Sequence, residues 1–272
     1  MTQRRSLLIA GTATCLAVPM AWAQQKRSLK DPLRLGVDVS LVESGLGSAL
    51  QRAFGRDTGI AVQVVPGTSL PLLEALERGE FDAALTNAPE FEAKLDKQGL
   101  VHDRRAIAQG GLALVGPAPT RKQPDPAGVA GLRDIAEALV KIRDAALAAP
   151  GTVAFVSPGD QSGLHAAEQA LWRAAKVAPG GPWYSTLPAG RRLAAQARAT
   201  GAYALVERGA WSAQAGTPLA VLVDADPLLA LPVHAMRSFR INHPAGKIFV
   251  AWIAGPKGRR VVSGLRGYRA PT

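Results

Sequence analysis

Two short stretches carry the residue types best suited to hold a charged solute. Ser44-Gly45-Leu46 and Ser162-Gly163-Leu164 each follow an apolar run and open a helical period. Serine before a helix is a natural N-cap, and the adjacent glycine leaves the backbone open. A helix start presents unpaired N–H groups and the positive end of the dipole, which together attract an anion. Two such cradles, one in each half of the chain, could face one shared gap. Each stretch on its own also reads as ordinary capping. Ser40, Thr68, Ser69 and Ser157 add hydroxyl donors near other predicted strand ends and helix starts. Asp38 is an acceptor for a ligand amine or hydroxyl, or else a local turn or cap residue. Arg191 and its neighbour Arg192 lie near a predicted helix start and offer a cation, or a solvated face.

An exported serine hydrolase is the alternative from another class. Ser162 and His165 stand three apart with Asp160 nearby. Yet Gly159-Asp160-Gln161-Ser162-Gly163 lacks the Gly-x-Ser-x-Gly elbow, and a triad usually draws its base from a distant segment. His102, His234 and His243 form no short-spaced metal motif, and no glycine-rich nucleotide loop is present. The reading therefore assigns no catalytic residue, no metal and no cofactor.

The elements that must position these groups alternate between strand and helix, which predicts an α/β fold with mainly parallel sheets. Short apolar runs at 33–37, 61–65, 83–86, 112–115, 153–156, 202–206 and 220–223 read as buried strands. Leu46, Leu50, Ala53 and Phe54 share one helical face. Leu132, Ile135, Leu139 and Ile142 share another, as do Leu164, Ala167, Leu171 and Trp172. Ser69 reads as the N-cap of a helix with Pro71 in its first turn and Gly79 just past its end. Proline-rich 117–131 reads as an exposed loop.

Arg4 and Arg5, an apolar run of about a dozen residues and Ala21-Trp22-Ala23 describe a signal peptide over residues 1–23, too short to span a membrane. Cleavage predicts a periplasmic protein with no membrane insertion, exported by the general or the twin-arginine route. The one cysteine, Cys15, lies inside this leader. The mature chain then has no disulfide and no thiolate chemistry. The full chain carries 32 Lys and Arg against 21 Asp and Glu; losing Arg4 and Arg5 leaves 30, a formal +9. Such a charge attracts anionic ligands and acidic polymers, or else is spread as a diffuse solvated surface. No arginine-rich run or basic-aromatic stripe suggests nucleic acid.

The chain resembles the extracellular tungstate-binding proteins of ABC transporters, within the type II solute-binding proteins. The resemblance runs from about residue 33 to about residue 265. It rests on Glu43-Ser44-Gly45-Leu46, Thr58-Gly59-Ile60, Gly67-Thr68, Val115-Gly116-Pro117 and Asp125-Pro126-Ala127-Gly128, then on Phe155-Val156-Ser157, Ser162-Gly163 with His165, Trp183-Tyr184, Arg208-Gly209 and Asp226-Pro227-Leu228-Leu229. It implies a two-lobed periplasmic-binding-protein-like fold with a hinge of two crossing strands, near 109–112 and 226–231. Residues 31–110 and 230–272 would form lobe I and residues 111–229 lobe II. It also implies capture of a small anionic solute, a tungstate- or molybdate-like oxyanion, by a monomer that serves an ABC transporter permease. A ligand-sensing module on the same scaffold is the third reading, because both use cleft closure.

The sequence departs from the family pattern at the expected site. The threonine-rich strand end is Gly36-Val37-Asp38-Val39-Ser40, and Pro158 stands where the family has an arginine. The threonine after the second Ser-Gly has become Leu164. A carboxylate ~4 Å from a dianion is unfavourable by several kcal/mol at intermediate dielectric. The surviving donors from which a site could be built are Ser40, Ser44, Gly45, Thr68, Ser69, Ser157, Ser162 and Gly163.

Overall fold

The computed structural model describes residues 28–187, 192–213 and 219–271. The predicted leader, residues 1–23, and Arg191 lie outside the described residues. Nine strands and ten α-helices alternate along the described chain. The first part runs β1 (Leu33–Asp38), α1 (Val39–Glu43), α2 (Leu46–Thr58), β2 (Val62–Gly67), α3 (Ser69–Arg78), β3 (Ala83–Thr86) and α4 (Pro89–Lys97). The long strand β4 (Val101–Pro117) leads into α5 (Ile135–Ala148), β5 (Phe155–Ser157), α6 (Gly163–Ala174), β6 (Tyr184–Thr186), α7 (Leu193–Thr200), β7 (Ala204–Glu207), α8 (Arg208–Ser212) and β8 (Leu219–Val223). The chain returns through β9 (Ala230–Ser238) and ends in α9 (Pro244–Ala254) and α10 (Pro256–Ser263).

One sheet, in the order β2-β1-β3-β9-β4-β7 with β8 also on β4, runs through the whole molecule. β1 pairs in parallel with β2 and β3, as crossover helices require. The antiparallel pair β4–β9 joins the halves, with Gln109 opposite Pro232, Gly110 opposite Leu231 and Gly111 opposite Ala230. β5 and β6 pair in parallel, and a bridge from Phe155 to Tyr203 sets them beside β7.

Period-two alternation puts apolar side chains on both faces of each half-sheet. In β4, Leu112 and Leu114 enter a core with Ile135, Leu139, Phe155 and Trp172. Ala113 and Val115 face the other way, toward Ala197 and Val206. In β3, Ala83 and Leu85 join a core with Leu50, Phe54 and Phe249, while Ala84 packs with Leu73, Leu76 and Met236. Each half therefore has its own core, and the β4–β9 pair connects them.

Two local expectations change. Ser69 is the first residue of α3, not its cap; Thr68 takes the cap position, with extended backbone, and leaves the Ser69 hydroxyl free to point elsewhere. Ser44 does not cap α2. It closes the one-turn helix α1, and Gly45, at φ 81°, opens α2. A left-handed residue between two helices is where glycine costs least. The strands β6 and β9 were not among the apolar runs. β6 is largely exposed, and Arg237 and Ser238 interrupt the end of β9 with polar groups.

Candidate functional site

The carboxyl ends of β1, β2, β3 and β5 meet where the two halves face each other, the place where open α/β sheets hold ligands. β1 ends in Asp38, which is fully buried. Its side chain caps α1, and Oδ1 accepts from Ser40 N at 3.0 Å and Ser40 Oγ at 2.8 Å. Oδ2 accepts from Ser69 Oγ at 2.6 Å. The backbone of Gly163, at the start of α6 in the other half, comes close enough to the same carboxylate to pull its pKa down slightly. Burial pushes the Asp38 carboxyl above the usual range, against the opposing pull of these hydrogen bonds.

Asn87, just beyond β3, completes the cluster and is buried. Its Nδ2 donates to Ser40 Oγ at 3.0 Å, and its Oδ1 lies 3.2 Å from Ser69 Oγ. Asn87 also lies against Gly163: a Cβ at position 163 would fall 2.0 Å from Asn87 Oδ1 and 2.5 Å from its carbonyl oxygen. Only glycine permits this approach. The halves touch twice more. Leu70 N donates to the Gln161 carbonyl at 3.3 Å, and Arg192 pairs with Glu43 at 3.7 Å. Arg192 thus spends its charge on Glu43 at the rim.

The structure brings Asp38, Ser40, Ser69 and Gly163 together. Ser44 is buried nearby, but its Oγ donates to Leu41 O at 3.1 Å and accepts from Tyr268 at 2.7 Å, which leaves it no free donor. Gly45 serves the α1–α2 junction. Thr68 opens α3 through its backbone carbonyl, which accepts from Leu72 N at 3.1 Å. Ser162 caps α6: its Oγ accepts from His165 N at 3.1 Å while its own N–H donates to Asp160 at 3.0 Å. The hydroxyl is therefore turned into the helix start. His165 Nδ1 accepts from Gln161 N at 3.4 Å. This is capping geometry, without the serine-to-imidazole contact a hydrolase needs.

Ser157 is buried at the end of β5, beside Glu168 and Tyr184, and its Oγ has no hydrogen bond of normal geometry. Glu168 accepts from Tyr184 at 2.7 Å and Trp172 Nε1 at 3.2 Å. Burial pushes its carboxyl up to about 7. Tyr203 binds Asp125 at 2.7 Å and Arg208 pairs with Asp224 at 3.4 Å, so both serve the second half internally. Among the described residues no cluster of three or more His, Cys, Asp or Glu is arranged to hold a metal. No described helix is long and apolar enough to cross a membrane.

Sequence reasoning missed Asn87. Its signal was its position, the first residue past the apolar run 83–86, at the same sheet edge as Asp38. Tyr268 carried no local signal, since its partner Ser44 is 224 residues away.

The comparisons agree with this geometry. A family model described as the PBP superfamily domain matches residues 36–236. The tungstate-binding protein TupA of Peptoclostridium acidaminophilum is 30% identical over 261 residues, covering 91% of this chain and 86% of that protein. The tungstate ABC transporter structure from Geobacter sulfurreducens superposes with a TM-score of 0.73 at 27% identity, over 86% of this chain and 98% of that one. The tungstate-binding protein TupA of Desulfovibrio alaskensis gives 0.70 at 26%, over 89% and 100%. With its two lobes, its two joining strands and its donors gathered between them, the chain belongs to the PBP superfamily, in the family of tungstate-binding proteins of ABC transporters.

Proposed function

We propose that this protein is a periplasmic solute-binding protein that captures a small oxyanion between its lobes and hands it to an ABC permease, with no catalysis. Residues 31–110 and 230–272 form one lobe in this reading and 111–229 the other. The chain acts as a monomer, because one chain supplies both walls of the cleft.

One observation carries the reading. Two serine hydroxyls and a backbone amide of β1–α1 all donate to one buried carboxylate position, with the Gly163 backbone of the opposite lobe close beside it. Neutral donors around a buried anion are how a protein stabilises such a charge without a metal. The His165 ring bonds Gln161 N instead of the Ser162 hydroxyl, which removes the basis for the hydrolase alternative.

A thermal-shift screen of the purified mature protein tests this. Tungstate, molybdate, sulfate and phosphate are compared with neutral sugars and amino acids. At least one oxyanion gives a saturable rise in melting temperature, worth ~2.7 kcal/mol at 100-fold its dissociation constant. No shift from any oxyanion at millimolar concentration contradicts the proposal.

A further inference from the structure

We propose that the Asp38 carboxylate itself occupies the anion position and fastens the two lobes across it, so that a free oxyanion binds only by displacing a carboxylate the chain already holds there. The inference rests on reading the cleft as an anion site and adds which residue sets its selectivity. Asp38 accepts from Ser40 N, Ser40 Oγ and Ser69 Oγ, and the Asn87 that bonds Ser40 lies directly against Gly163 of the other lobe, whose backbone also comes near the carboxylate. A carboxylate that served only to cap α1 would need the Ser40 amide alone. Both of its oxygens are used, and it is fully buried. Among the described residues it has no ion pair, so the donors are arranged for a single negative charge without a counter-cation.

The halves also touch each other beside this carboxylate. Asn87 touches Gly163, and Leu70 bonds Gln161 across the gap. A dianion placed beside an ionised Asp38 would meet like charge at hydroxyls and an amide already bonded to that carboxylate. A tethered group competes at an effective concentration that a dilute solute does not reach. Occupation by Asp38 therefore selects against weakly held or bulky anions.

Asp38→Ser keeps a capping hydroxyl for the Ser40 amide, removes the charge and vacates the space. Asp38→Asn removes the charge but keeps the bulk. The dissociation constant for tungstate is measured by titration calorimetry for wild type and both variants, with the radius of gyration of each taken by solution scattering with and without tungstate. Wild type is compact with or without tungstate. Asp38→Ser is more expanded alone, contracts on adding tungstate and binds it at least tenfold more tightly; Asp38→Asn falls between. Equal affinity and equal compactness in all three overturn the inference while leaving anion capture standing. Tight binding by Asp38→Ser with none by wild type supports the inference and overturns capture by the natural chain. If Asp38→Ser does not fold, an Asp38→Asn affinity no better than wild type overturns the inference.

Discussion

The residues at the lobe junction are buried polar groups, and each is explained by what it bonds. Ser40, Ser69 and Asn87 satisfy one another and Asp38, a closed network in which a missing member would leave a buried atom without a partner. Glu168, one layer behind Ser157, is different. Burial, outweighing the Tyr184 and Trp172 hydrogen bonds, raises it from 4.5 to about 7, and its Oε2 has no partner. A carboxyl that holds its proton more tightly in the folded chain stabilises the fold below its unfolded value. That contribution is lost as pH rises through 7. Glu168→Gln, which is permanently neutral, removes on the order of 3 kcal/mol of this dependence. The expected result is a melting temperature that falls less between pH 5 and pH 8 than in wild type. Parallel pH profiles for the two proteins would contradict it.

At the scale of elements, short pieces at strand ends do the positioning. α1 is a single turn whose cap is Asp38, and α6 begins with Ser162 and Gly163 against the opposite lobe. Gly163→Ala puts a Cβ within 2.0 Å of Asn87 Oδ1, so the lobes must part. The expected result is a larger radius of gyration in scattering, with far-ultraviolet circular dichroism unchanged. A variant as compact as wild type would show that the contact yields. Much of this framework was legible in the sequence. The apolar runs 33–37 and 83–86, the faces of α2, α5 and α6, and the capping role of Ser162 follow from local periodicity and hydroxyl placement. The site was legible only in part. Ser44 and Ser162 carry the same Ser-Gly-Leu wording, yet one ends a helix and the other starts one, because Asp38 nucleates an extra turn ahead of Ser44. Asp38, Ser69 and Asn87 meet only through the parallel order β2-β1-β3, and no local pattern encodes which strand ends become neighbours.

For the molecule as a whole, two cores joined by β4 and β9 make a hinge with the site at its mouth. Lobe motion is then the natural consequence of solute exchange. The excess of basic over acidic residues favours anions near the protein as a whole, while the one buried carboxylate at the lobe junction, Asp38, decides what can enter there. Long-range attraction and local selection are therefore separate properties of the same protein. Crystals of the mature protein grown with tungstate, measured at a wavelength where tungsten scatters anomalously, locate the anion without assumption. The account predicts one strong peak between the lobes, within hydrogen-bonding distance of the Ser40 and Ser69 hydroxyls and the Gly163 N–H, with the Asp38 side chain swung away. A strong peak elsewhere on the chain, or a cleft still filled by Asp38 with no peak at all, would contradict it.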